Sequence, residues 1–139
     1  MILNELRKNA RVSLLEVAKK TDIPLSTIYD KVDHYEKDLI KKYTSLLDFS
    51  NIGYLSRVLV ALKVKKEARQ GIEDFLKKHP NVNSLYKVNS GYDYLAEIIS
   101  KNSKETQDIV EEIESRGGVI AQNCFEIIDE VKKEAFEIK

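Results

Sequence analysis

The stretch SLLEVAKKTDIPLSTIYDKVDHYEK, residues 13–37, decides the fold of the N-terminal part of this chain. Ser13, followed three residues later by Glu16, is typical of a capping box and predicts that a helix begins there. Pro24 cannot lie inside a helix, and Asp22 tolerates the left-handed backbone of a tight turn, so the first helix ends near them. A second helix begins near Pro24. Two helices joined by such a turn form a helix-turn-helix.

The second helix has one apolar face, because its large apolar side chains recur every three or four residues while the polar ones face outward. An upstream apolar stripe predicts a short helix ending near Asn9, which needs tertiary packing to be stable. Residues 1–38 are therefore predicted to form a three-helix head, with the motif at about 14–35. The predicted core of the head is Leu3, Leu6, Leu14, Val17, Ala18, Ile23, Ile28, Val32 and Tyr35.

The pattern changes from helical to alternating after residue 38, which predicts a linker at 39–54 with a strand over 40–47 and a turn over 48–53. From Leu55 onward the order is strand, helix, strand, strand, helix, strand. That order predicts a ferredoxin-like domain over 55–129, with two helices on one face of a four-stranded sheet, and a C-terminal tail at 130–139. The predicted elements are 55–64, 67–78, 82–88, 94–100, a helix capped by Ser103 and ended by Gly117-Gly118, and 119–128. The fold class is α+β.

The second face of such a sheet carries apolar side chains at Leu59, Ala61, Leu95 and Ile99. Exposed apolar faces usually bind partners, so we expect sheet-to-sheet dimerisation, with the tail packing against neighbouring subunits. The alternative is that the head covers this face within one chain.

Composition limits the class of protein. Lys and Arg number 23 and Asp and Glu number 23, so the chain has no net charge and no general attraction for nucleic acid. The single Cys124 excludes an internal disulfide. The chain has no run of 18 apolar residues and no charged-then-apolar leader, so we expect a cytoplasmic protein that neither spans a membrane nor is secreted.

No motif for catalysis or metal binding stands out. His34 and His79 lie far apart, and neither has a second metal ligand at the usual spacing. Ser90-Gly91 lacks the lysine and the following helix of a phosphate loop. Asp93 has no nucleophile or second carboxylate nearby in sequence. The expectation is therefore no catalytic residue, no metal and no cofactor.

Three stretches resemble the Lrp/AsnC family of feast/famine transcriptional regulators. They are ILNELRKNARVSLLEVAKKTDIPLSTIYDKV at residues 2–32, the linker LIKKYTSLLDFSNIGY at 39–54 and SGYDYLAEI at 90–98. The last resembles the family's glycine-x-x-aspartate effector turn. The recognition helix has Lys31 alone at the usual basic position, without the family's typical arginines. The resemblance implies double-stranded DNA and a small-molecule effector as partners, and a homodimer that gathers into tetramers or octamers.

DNA contact must be local and modest, because residues 1–48 hold nine Lys and Arg against eight Asp and Glu. Useful affinity then requires two or more heads. The residues expected to read bases are Ser26, Thr27, Tyr29, Asp30, Lys31 and His34, for each of which the alternative is a solvated helix face. The residues expected to anchor the phosphate backbone are Arg7, Lys8, Arg11, Lys41 and Lys42.

The effector is expected at Asn89, Ser90, Gly91, Tyr92, Asp93 and Tyr94. Gly91 allows main-chain N–H groups to approach a ligand carboxylate, and Asp93 can accept a hydrogen bond from an ammonium group. An amino acid carries both charges. The alternative is a simple hairpin turn in which Asp93 caps the backbone and the tyrosines pack.

A second class of protein shares this layout. Sirohaem decarboxylases, which bind a tetrapyrrole and use histidine, combine a helix-turn-helix with a ferredoxin-like domain. With two histidines and only a sparse basic set for a tetrapyrrole's carboxylate side chains, this chain fits them poorly. The prediction is a sequence-specific DNA-binding regulator and not an enzyme.

Overall fold

The computed structural model describes residues 1–139 and divides into two compact units. The first unit contains Met1–Leu46 together with Val131–Lys139, and the second contains Leu47–Glu130. No helix in either unit has the length and apolar character needed to cross a bilayer.

The first unit contains three helices, α1 (Ile2–Lys8), α2 (Leu14–Thr21) and α3 (Leu25–Asp38). The predicted cap of α2 forms, because the Ser13 hydroxyl accepts a hydrogen bond from the Glu16 backbone N–H at 3.2 Å. Asp22 ends the helix with φ 60° and donates its N–H to the Ala18 carbonyl. The helix-turn-helix is therefore confirmed, together with the left-handed turn at Asp22.

The core of this unit consists of Ile2, Leu6, Val17, Ile28 and Val32. The other five predicted core residues are half-buried around this cluster. Ile2, and not Leu3, is the buried residue of the first turn of α1. The half-buried side chains around the core include Leu3, Val12, Leu14, Ala18, Ile23, Tyr35 and Ile40.

The strand predicted over 40–47 is not formed, because the segment pairs with no other strand of the chain and a strand exists only as part of a ladder. The turn that follows it is a 3₁₀ helix, Phe49–Ile52. The Asp48 carboxylate caps this helix by accepting from the Ser50 N–H at 3.1 Å, and Gly53 ends it with φ 94°.

The second unit is the predicted ferredoxin-like domain. Its elements are β1 (Ser56–Val64), a 3₁₀ turn (Lys66–Ala68), α4 (Arg69–Lys78), β2 (Val82–Lys87), β3 (Tyr94–Ser100), α5 (Ser103–Ser115) and β4 (Val119–Glu126). The four strands form one antiparallel sheet in the order β2-β3-β1-β4. One cap of α5 differs from the prediction, since the Asn102 side chain, and not Ser103, accepts from the Glu105 N–H at 2.8 Å.

Both helices of this unit pack on one face of the sheet, against Val58, Val60, Leu62 and Val64 of β1. The other face, which we call the outer face, carries the alternate residues of the strands. Its register pairs Leu59 with Phe125, Ala61 with Leu95 and Leu95 with Tyr86.

Exposure on the outer face differs from the prediction. Ala61 and Ile99, on the central strands β1 and β3, are buried. Leu59 and Leu95 are half-buried. The exposed apolar side chains lie on the edge strands, with Phe125 52% and Tyr86 56% exposed.

The tail, residues 131–139, has no regular secondary structure but lies on α1 within the first unit. The Asn4 side chain donates to the Ile138 carbonyl at 2.8 Å and accepts from the Ile138 N–H at 2.9 Å. The Arg7 guanidinium donates to the carbonyls of Phe136 and Glu134, each at 3.2 Å. These contacts make the tail part of the head.

Candidate DNA-binding and effector-binding sites

Helix α3 presents a polar face, because Ile28 and Val32 turn the opposite face into the core. Every residue that the sequence predicts to read bases lies on its accessible surface, although Thr27 is half-buried. Tyr29 is 57% exposed. Lys31 is exposed and makes no ion pair. The predicted base-reading residues are Ser26, Thr27, Tyr29, Asp30, Lys31 and His34.

Two further residues of this face, Asp33 and Lys37, were not among the predicted contacts. Their side chains form an ion pair at 3.8 Å, and both are more than 70% exposed. Their four-residue spacing is the sequence signal for this pair. Near the middle of α3, the charged side chains without an ion partner are therefore Asp30 and Lys31.

The predicted backbone anchors differ in how free their charges are. Arg7 is held by the tail and also lies 3.6 Å from the Glu134 carboxylate, so its charge is shared within the chain. Lys8 pairs with Glu5 at 3.4 Å. Arg11, Lys41 and Lys42 are exposed and make no ion pair, which leaves three of the five anchors with an unshared charge.

The predicted effector turn joins β2 to β3. Ser90 has φ 72° and Gly91 has φ 102°, so two successive residues adopt the left-handed region. This conformation is unfavourable for serine, whereas glycine adopts it without steric strain. Ser90 lies three residues before Asp93, the spacing of a glycine-x-x-aspartate turn, while Gly91 lies two before it. The N–H groups of Ser90, Gly91 and Tyr92 make no hydrogen bond within the chain.

Asp93 has partners within the chain for both carboxylate oxygens. Its Oδ2 accepts from the Val64 backbone N–H at 2.8 Å, and its Oδ1 lies 3.1 Å from the Arg69 guanidinium. The Asp93 main chain also bonds to Val88 and Leu62. Asp93 thus caps the backbone, as the hairpin alternative requires, and keeps a charged partner as well.

Tyr94 connects the turn to α4. Its hydroxyl donates to the Glu73 carboxylate at 3.1 Å, and Lys87 lies 3.2 Å from the same carboxylate. The Lys87 ammonium and the Tyr94 hydroxyl hold the pKa of the Glu73 carboxyl below its usual range. Burial and the neighbouring Glu73 raise the pKa of Tyr94. Glu73 is therefore a satisfied carboxylate.

Sequence reasoning did not find Arg69, which lies on α4 and contacts Asp93 of the predicted turn. No local pattern could show this contact, because it depends on how α4 packs on the sheet. No three His, Cys, Asp or Glu side chains come together in a group that could hold a metal ion.

Comparison with known proteins gives two family matches that together span most of the chain. The Lrp/AsnC ligand binding domain matches residues 57–135, and a winged helix-turn-helix DNA-binding domain matches residues 1–38. The first covers the ferredoxin-like unit and the second covers α1 to α3.

Similar proteins match this chain over most of its length. The HTH-type transcriptional regulator FL11 of Pyrococcus furiosus is 29% identical over 138 residues, which cover 99% of this chain and 91% of the relative. The transcriptional regulator AzlB of Bacillus subtilis is 26% identical over 113 residues, or 78% of this chain and 72% of the relative.

Two solved structures share the fold. The feast or famine regulatory protein Rv3291c of M. tuberculosis, complexed with L-methionine, has a TM-score of 0.89 at 18% identity and covers 99% of this chain and 95% of its own. The regulator NMB0573 of Neisseria meningitidis, as its L-Met complex, has a TM-score of 0.87 at 19% identity over 95% and 88% of the chains. On the family matches, this chain belongs to the Lrp/AsnC family of DNA-binding transcriptional regulators, which are not enzymes.

Proposed function

We propose that this protein regulates transcription by placing α3 of paired heads in the major groove of an operator, in response to an amino acid bound at residues 89–94. The support for DNA contact is the exposed polar face of α3, with Lys31 unpaired, on a head matched by a winged helix-turn-helix domain. A recognition helix reads base edges from such a face.

The observation that carries the effector proposal is the run of three N–H groups without partners at Ser90, Gly91 and Tyr92, beside the Asp93 carboxylate. Successive main-chain N–H groups at a turn of this kind form an anion-binding concavity. An anion bound there would lie next to a carboxylate, which favours a ligand that carries both charges. An α-amino acid is such a ligand.

The comparisons support an amino acid as the ligand class. Rv3291c and NMB0573 were each solved with L-methionine. We extend this property to the present chain as a proposal, with L-methionine as the first ligand to test.

Assembly is the third part of the proposal. The outer face of the sheet is not covered by either helix of its own unit, and it exposes Phe125 and Tyr86 beside half-buried Leu59 and Leu95. A second copy of the chain offers a matching apolar face, so we propose a homodimer through this surface and tetramers or octamers built from it. The unpaired segment 40–47 would lie beside a second chain in such an assembly.

A dimer also supplies the DNA affinity that one head lacks, because two linked heads bind with an effective concentration far above that of free heads. Their half-sites would lie about one helical turn apart, or a multiple of it. We place this activity in the cytoplasm, where the chain meets DNA.

Operator selection from random DNA tests the proposal, carried out with the full chain, with and without a pool of the amino acids. We expect an enriched palindromic sequence whose affinity, or whose complex size, changes with the pool. Enrichment of no sequence would overturn operator recognition. If an operator is enriched but calorimetry detects no amino-acid binding, the effector assignment is overturned and DNA recognition stands.

A further inference from the structure

We propose that Arg69 is a specificity-determining residue of the effector site: a bound amino acid replaces the Arg69–Asp93 ion pair, its ammonium taking Asp93 and its carboxylate taking Arg69. This inference rests on the proposed effector site. It extends that site from the β2–β3 turn to the first residue of α4.

The two oxygens of Asp93 have different roles. Oδ2 accepts from the Val64 backbone N–H at 2.8 Å, and that bond fixes the carboxylate to the end of β1. Oδ1 lies 3.1 Å from a guanidinium nitrogen of Arg69, a side chain that is 49% exposed. A ligand can therefore replace the partner of Oδ1 without disturbing the backbone bond of Oδ2.

The exchange has a small cost, because an ion pair between partly exposed side chains contributes little to stability. Arg69 begins α4, so its backbone is fixed by the helix while its long side chain can move. The Tyr94 hydroxyl, which donates its proton to Glu73, lies 3.5 Å from the Arg69 carbonyl, so the start of α4 is next to β3. The guanidinium can thus swing aside and still remain next to the site.

A zwitterion satisfies both members of the opened pair. An α-amino acid presents a cation to Asp93 and an anion to Arg69 from substituents of one carbon, and guanidinium binds carboxylate by two parallel hydrogen bonds. A carboxylate has further acceptor positions, so Arg69 adds to the turn's free N–H groups without competing with them.

The neighbouring charges do not offer an equivalent exchange. Glu73, the other carboxylate beside this turn, is bound by Lys87 and Tyr94 at 3.2 and 3.1 Å. The Lys87–Glu73 pair differs because a lysine ammonium lacks the two-nitrogen fork with which the Arg69 guanidinium can bind a carboxylate. A ligand with only an amine, or only a carboxylate, would leave one member of the pair without a partner.

Calorimetry on the full chain tests this inference, with L-methionine and then each of the other amino acids as the probe. The variants are Arg69→Ala and Arg69→Gln, and the matched control is Lys78→Ala, the last residue of the same helix, which makes no ion pair. Because one charge-assisted interaction is lost, we expect both Arg69 variants to bind about ten- to a hundredfold more weakly. The control should bind like the original chain.

The amide of the binding amino acid completes the test, since it keeps the ammonium and lacks the carboxylate. We expect the amide to bind the original chain weakly and to bind Arg69→Ala no more weakly, because Arg69 gives the amide no carboxylate contact and the variant has no Arg69–Asp93 pair to open. Binding of the amino acid that is unchanged or tighter in both Arg69 variants would show that Arg69 merely occupies Asp93, and would overturn this inference alone. Absence of binding by every amino acid to the original chain would overturn the effector assignment and this inference with it.

Discussion

Asn4 and Ile138 exchange two hydrogen bonds although 134 residues separate them in the chain. The Asn4 side chain supplies both a donor and an acceptor to the Ile138 backbone, at 2.8 and 2.9 Å, as a neighbouring strand would. Helix α1 has only 7 residues and is too short to be stable alone. The tail therefore stabilises the helix on which the rest of the head packs.

Asn4→Ala should destabilise the head by about 1–3 kcal/mol, because two partly buried hydrogen bonds are lost. Asn4→Asp keeps the acceptor but places a second carboxylate oxygen against the Ile138 carbonyl, so it should destabilise the head at least as much. The measurement is hydrogen exchange of the α1 amides, with Lys8→Ala as the control on an exposed face of the same helix. Equal protection of α1 in Asn4→Ala and in the original chain would show that the tail contact contributes nothing.

Gly118→Ala should destabilise the second unit more than Gly117→Ala. Both glycines have positive φ, +93° and +81°, so each alanine costs about 1–2 kcal/mol of backbone strain. A Cβ at Gly118 would also lie 2.3 Å from the Ala68 Cβ, whereas one at Gly117 meets nothing within 4 Å. We expect an additional cost of about 1–3 kcal/mol at Gly118, measured by urea unfolding. Equal effects of the two substitutions would contradict the close contact with Ala68.

Glu73 should make stability depend on pH on the acid side of neutrality. Lys87 and Tyr94 lower the pKa of its carboxyl in the folded chain, so the ionised form is favoured by folding. The stabilisation is present above the unfolded pKa of about 4.3 and is lost as the pH falls through the lower folded pKa.

Glu73→Gln should thus lower the free energy of unfolding at pH 7, and the difference from the original chain should shrink below about pH 4. Glu67→Gln, at an exposed glutamate without an ion pair, is the control. Urea unfolding of the three proteins across this pH range measures the effect. A difference that stayed constant with pH would exclude the carboxylate charge as its cause.

The parts of the fold that were predictable are those set by local periodicity. The core face of α3, the cap at Ser13 and the order of strands and helices each follow from residues close together in sequence. The prediction of a strand at 40–47 was wrong because a strand also depends on residues far away in sequence. Its alternating pattern is suited to a strand, but the chain supplies no neighbouring strand for the ladder.

The contacts of the candidate sites depend on tertiary packing, and sequence alone does not indicate them. Arg7 was expected to be free for phosphate, yet the tail binds it from the far end of the chain. Asp93 was singled out for its position after a glycine turn, but its partners Val64 and Arg69 lie on other elements. Local chemistry identified the residues, and the topology determined what they contact.

Phe125→Asp should shift the protein from dimer to monomer if the outer face joins two copies. Phe125 is 52% exposed in one chain, so a charge there leaves the fold intact but would be buried without a partner in a dimer. The mass measured by light scattering should be twice 16.0 kDa, or a higher multiple, for the original chain and 16.0 kDa for Phe125→Asp. Ser103→Asp adds the same charge at the start of α5, on the opposite side of the sheet, and should keep the original mass. An original chain of 16.0 kDa at micromolar concentration would exclude the dimer.

Lys31→Ala tests whether α3 reads bases. Lys31 is the exposed lysine of α3 that makes no ion pair, so its ammonium is free to donate to a guanine edge or to a phosphate. If it reads a base, the substitution should weaken operator binding by about 1–3 kcal/mol and relax sequence preference at one position. Fluorescence anisotropy with the selected operator and with random DNA measures both effects.

The two roles of Lys31 predict different results on random DNA. Loss of a phosphate contact weakens binding to every sequence alike. It also reduces the slope of the logarithm of the binding constant against the logarithm of salt concentration by about one. Loss of a base contact weakens operator binding alone. Lys78→Ala removes the same charge from a helix of the second unit and should leave both affinities unchanged. Affinities for operator and random DNA that are both unchanged in Lys31→Ala would remove Lys31 from the interface and leave base reading to the remaining exposed residues of α3.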